Sequence, residues 1–107
     1  MQKHKWPTLK RRQAILDAVD AWAQDNDVTV TLIGTDEDRV DYAPAIIGVT
    51  QEPRKAVVYS MSKLIECFIH VNKWSHENAT EWVDFNVVRA LPYYNQNGPI
   101  LVEDLDV

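Results

Sequence analysis

Two apolar runs, Ala45-Ile46-Ile47-Gly48-Val49 and Ala56-Val57-Val58-Tyr59, are separated only by Thr50 to Lys55, with Pro53 in between. A parallel pairing needs a crossover of a dozen or more residues, so two strands this close form an antiparallel hairpin. This disfavours a doubly wound parallel sheet and points to the α+β class, with a small antiparallel sheet of three to five strands covered by helices. Both runs are apolar at nearly every position. That density suits central strands covered on both faces, or strands with one face on helices and the other on a partner. Gly48, inside a run, marks a bulge or a close backbone approach.

Three helices supply the cover. Thr8 is placed to cap a helix over about 8–24, where Ile15, Leu16, Val19, Trp22 and Ala23 share one face. Ser60 or Ser62 caps a second over about 62–72, whose apolar stripe of Leu64, Ile65 and Phe68 is widened by Cys67 and Val71. Ser75 caps a third over about 76–90, closed by Pro92, with Glu77 near the positive end of its dipole. The alternating, β-branched run Val28 to Ile33 predicts a strand. Val40 and Tyr42 predict a short edge strand that ends at Pro44, and Ile100-Leu101-Val102 a last strand.

The chain of 107 residues and 12.3 kDa is of single-domain size, with a basic segment at 1–12 and an acidic tail at 103–107. Surface scaling hides about two-thirds of such a chain on folding, enough for a core without disulfides or metal. No apolar run approaches the roughly 20 residues of a membrane span, and no signal-peptide core follows the basic start. With a single cysteine, Cys67, these features lead us to expect a soluble, cytoplasmic protein.

Charge is unevenly spread. Lys3, Lys5, Lys10, Arg11 and Arg12 stand in the first twelve positions without an acid, leaving 6 basic against 16 acidic residues in the rest. An acidic body repels phosphate, so nucleic acid is disfavoured as a partner, although those five residues could act as a short arm on DNA or RNA. Alternatively, the acidic body could imitate DNA.

Catalytic constellations are missing. Cys67 and His70 lie three apart on one helix, but Cys67 is mid-helix between Glu66 and Phe68, the place of a core thiol. His70, His76 and Glu77 match no familiar zinc spacing, and no phosphate-binding or nucleophile-elbow motif occurs. We expect no enzyme activity, no metal and no cofactor. Asn86 falls on the apolar stripe of Ala79, Trp82, Val83 and Ala90, which predicts a buried amide bonding free backbone groups of the hairpin or the 95–99 loop. Trp6, Trp74, Tyr93 and Tyr94 lie at a terminus or in connections, where aromatic residues often serve as interface anchors.

Ala45-Ile46-Ile47-Gly48-Val49, Val57-Val58-Tyr59 leading into Ser62-Lys63-Leu64-Ile65-Glu66, Asn78 to Asn86, and Gly98-Pro99-Ile100 form a pattern of short pieces. Through them, residues 45–101 resemble a family of small, mostly uncharacterised proteins of tailed phages and prophages. The family's Asn–Pro end motif aligns with Asn86 and Pro99, while Leu91 to Asn97 depart from its glycine-containing connection. The resemblance implies a hairpin packed on the two following helices and no activity. Together with the residues above, it gives the expectation of a non-enzymatic accessory protein that binds a host or phage protein, with Trp74, Tyr93, Tyr94 and Asn86 as candidate contacts. An apolar sheet face left over by the helices would make it a homodimer; the competing arrangement puts the 8–24 helix on that face as a three-layer monomer.

Overall fold

A computed structural model describes residues 6–105. Helix α1 spans Leu9–Asp25 and is capped by Thr8, whose Oγ1 accepts the Arg11 N–H at 3.1 Å. Its Leu16, Val19 and Ala23 turn inward. The chain leaves α1 through Asp27 at φ +53°.

The next segments depart from expectation. Val28 to Ile33 forms no strand. The Ile33 N–H donates to the Tyr59 hydroxyl at 3.0 Å and the Thr31 N–H to the Asn97 carbonyl at 3.0 Å, so a side chain and a loop serve two of its donors. β propensity describes a side chain's fit to a pleated surface and cannot supply the neighbouring strand. The edge strand expected at Val40 and Tyr42 is instead part of a 3₁₀ helix, Arg39–Ala45, with Pro44 inside it. Bonds between Thr35 and Asp38 start this turn, and it buries Tyr42, Ala43 and Ala45.

The hairpin forms as read. Strand β1, Ile46–Val49, pairs antiparallel with β2, Val57–Ser60, and the register slips between Ile46 and Gly48 in a bulge beside the glycine. β1 is an edge strand rather than a central one, and Ile47 is 48% exposed. Strand β3, Ile100–Val102, lies on the other side of β2 and runs parallel to it. The α+β class stands, with a mixed three-stranded sheet in place of an all-antiparallel one. The parallel pairing is possible because two helices separate β2 from β3, a connection long enough for a crossover.

Helix α2, Met61–Asn72, starts at Ser60, whose Oγ accepts the Lys63 N–H, and ends on Lys73 at φ +59°. Helix α3, His76–Asn86, starts at Ser75 and stops short of the expected residue 90. Pro92 has no N–H for the Val88 carbonyl, and its ring would clash with that carbonyl in an α-helix. The chain therefore tightens into a 3₁₀ segment, Val88–Tyr93.

The core gathers Leu64, Ile65, Cys67 and Phe68 from α2, Ala79 and Val83 from α3, Val57 and Tyr59 from β2, and Val19 from α1. Trp22, Ile46 and Val49 pack against its margin, and α1 and β1 together line one apolar groove. Val57, Tyr59 and Ser60 of the central strand are all buried. Within the hairpin strands the exposed residues are Ile47 and Gly48 of β1, while Val58 and the β3 residues are half-buried. Among the described residues no helix is long and apolar enough to cross a membrane.

Candidate functional site

Helix α3 has two distinct faces. Ala79 and Val83 point inward, followed by buried Val87 just beyond the helix. Asn78, Glu81, Trp82, Phe85 and Asn86 recur at the i, i+3, i+4, i+7 and i+8 spacing of the neighbouring stripe and line an open groove of about 500 Å³. Trp74, from the short link between α2 and α3, closes one side.

The groove is anchored to the core by aromatic contacts. Tyr42 stacks on Phe68 with ring centres 4.6 Å apart, and Phe68 meets Trp82 at 4.8 Å and Trp74 at 6.3 Å. The two indoles stand 5.9 Å apart, tilted at 45°. Trp82 is 39% exposed, so the stack runs from buried Phe68 to a partly solvent-facing indole, and Phe85, 55% exposed, lines the groove outside the stack. At the far end the Arg89 guanidinium lies 4.1 Å over the Phe85 ring, a cation–π contact.

Of the expected contact residues, the groove brings together Trp74 and Asn86 and excludes Tyr93 and Tyr94. Tyr93 is 90% exposed at the end of the Val88–Tyr93 segment, while half-buried Tyr94 lines a separate pocket with Arg54, Leu91 and Pro92. Asn86 is not the expected buried amide. It is exposed, and its Nδ2 donates to the Trp82 carbonyl one turn back at 3.1 Å. The bridging residue is Asn97, whose side-chain Nδ2 donates to the Lys55 carbonyl at 2.9 Å while its backbone carbonyl accepts the Thr31 N–H. Sequence reasoning missed Glu81 and Phe85 and put Trp82 in the core. The signal was present in the 78, 81, 82, 85 spacing, one residue out of step with the apolar stripe.

The basic arm divides. Lys3 and Lys5 lie outside the described residues. Lys10 and Arg11 are exposed on α1, but Arg12 is half-buried: its Nη1 pairs with Asp41 at 3.3 Å and its Nε donates to the Pro7 carbonyl at 3.0 Å. It belongs to the joint between α1 and the Arg39–Ala45 turn.

Cys67 and His70 point different ways. Cys67 is fully buried, and burial together with the Glu66 carboxylate pushes its thiol up from 9.0 to about 12, opposite to what a nucleophile needs. His70 is exposed and stacks on half-buried Trp6 at 4.1 Å. Among the described residues no group of three or more His, Cys, Asp or Glu side chains is placed to hold a metal ion. In the acidic tail, Asp104 accepts bonds from the Ser60 and Ser62 hydroxyls, which hold its carboxyl below the usual carboxylate range.

Compared with known proteins, the chain matches no family model, no curated protein and no solved structure.

Proposed function

We propose that this protein acts by binding another protein through the groove on α3, as a small accessory protein rather than an enzyme. The observation that carries this reading is the exposure of Trp82 and Phe85 on one helix face, with Trp74 beside them, around a concave surface with a polar rim. Large aromatic groups in a pocket are the usual anchors of protein interfaces, because each buries much area at little conformational cost. An acidic body, with 6 basic against 16 acidic residues after position 12, supports a protein partner over a nucleic acid. The phage-type resemblance of residues 45–101 makes a bacterial host protein the partner class of this proposal.

Affinity capture from bacterial lysate, run beside a substrate screen, tests it. The expected result is an enriched partner with no turnover; turnover without any enriched partner would defeat the reading. Salt-sensitive binding to bare duplex, lost when Lys3, Lys5, Lys10 and Arg11 become Gln, would transfer the function to the N-terminal arm.

A further inference from the structure

We propose that the α3 groove receives the guanidinium of an arginine on a partner polypeptide, stacked on the Trp82 indole and paired with the Glu81 carboxylate. This rests on the reading of the groove as a protein-docking site and names the chemistry that it selects.

Three observations lead there. First, the charged group in the lining is an acid, Glu81, and α3 also carries Glu77 and Asp84 without a lysine or arginine; Lys73 and Arg89 stand just beyond its ends. Second, the remaining polar lining is two amides; Asn86 spends one of its two side-chain N–H groups on the Trp82 carbonyl, and both amide oxygens join the Glu81 carboxylate as acceptors. A rim rich in acceptors calls for a ligand rich in donors, and a guanidinium carries five N–H groups and no acceptor. Third, the rings are of the kind that hold cations, and the molecule itself already seats one guanidinium, that of Arg89, on the Phe85 ring. Arginine is favoured over lysine because its planar group can stack on an indole and engage a carboxylate through two parallel N–H bonds at once.

The full chain is titrated with a short blocked peptide, acetyl-Ala-Arg-Ala-amide, while the four tryptophan indole N–H signals are followed by NMR and assigned with single Trp→Phe variants. Identical peptides with citrulline or lysine in the central position serve as controls. The Trp82 and Trp74 signals should shift saturably with the arginine peptide. Binding should weaken by about fivefold or more for citrulline, which keeps the shape and loses the charge, and by a smaller factor for lysine. Glu81→Gln, an exposed replacement with little risk to folding, should weaken arginine binding by about two- to fivefold. Equal binding of arginine and citrulline, shifts confined to Trp6 and Trp22, or no effect of Glu81→Gln would each overturn the proposal. Peptides that fail where lysate capture still depends on Phe85 would remove the arginine assignment and leave the docking site standing. Peptides that bind where capture ignores the groove would do the reverse.

Discussion

Along α3, Trp82 and Phe85 reach solvent beside a carboxylate and two amides, whereas along β1, Ile47 and Gly48 border a groove lined by Ile15, Ala18 and Trp22 of α1. Both surfaces are concave and partly apolar, but they differ in what they can specify. The α3 groove carries a carboxylate and two amides that could orient a ligand, and its Trp74 and Trp82 rings rest on Phe68. The β1 groove has almost nothing polar, and its strand is short and bulged beside Gly48, features that blunt an edge against pairing. Polar groups around exposed apolar area help to discriminate among ligands, and the α3 groove carries them where the β1 groove has almost none.

The largest effect should come from removing the support of the first surface. Phe68→Ala leaves a cavity under Trp82, Trp74 and Tyr42 and should cost about 3–5 kcal/mol in urea unfolding, with a loss of near-ultraviolet tryptophan dichroism. An unchanged tryptophan signal would show that the groove does not depend on the stack.

Alkaline pH loads the same region from beneath. Burial raises Cys67 from 9.0 to about 12, and burial with the nearby Asp38 and Asp41 carboxylates raises Tyr42 from 10.0 to about 12. Raised folded-state values mean that stability is intact below pH 9 and falls as the unfolded chain ionises first. The loss is about 1.4 kcal/mol per pH unit for each group, from pH 9 for Cys67 and pH 10 for Tyr42, until each folded value near 12 is reached. Urea midpoints between pH 8 and 11 should decline, less steeply in Cys67→Ala; a flat profile would contradict the buried positions.

A third change separates stability from the groove. At Gly98 an added Cβ would overlap the Tyr94 Cβ, so Gly98→Ala should cost about 1–3 kcal/mol while the Trp74 and Trp82 signals stay in place below the transition. Movement of those signals would couple the Asn95–Gly98 turn to α3. The smallest effect is expected at the second surface. Ile47→Lys should change stability by less than about 0.5 kcal/mol. Sedimentation at micromolar concentration should show one species of 12.3 kDa before and after the change. A wild-type dimer that this substitution dissociates would make β1 the interface and reverse the comparison.

The parts of this structure legible in the sequence are those fixed locally. Thr8, Ser60 and Ser75 each cap a helix through a bond to an N–H three residues on, so the starts of α1, α2 and α3 could be read within one turn. The hairpin was legible because six residues leave no room for another connection. Val28 to Ile33 was misread because its β-branched residues fit a strand but its donors go to Tyr59 and Asn97, both far along the chain. The direction of β3 is decided by the crossover through α2 and α3 and leaves no mark on Ile100-Leu101-Val102 itself. The groove was half legible. Trp74 in a connection and Asn86 on α3 were singled out, but adjacent Trp82 and Val83 lie only about 100° apart on a helix, and the apolar stripe was centred on the wrong side of Trp82.

The most direct test of the α3 groove as the docking site is a paired capture with the full chain, one surface altered at a time. Phe85→Ser with Glu81→Gln changes two exposed residues of the groove, and Ile47→Lys changes the β1 edge. The partner enriched by the wild-type protein should be lost from the first variant and retained by the second, with both variants giving the wild-type circular dichroism spectrum. A partner retained by the groove variant and lost from Ile47→Lys would contradict the account.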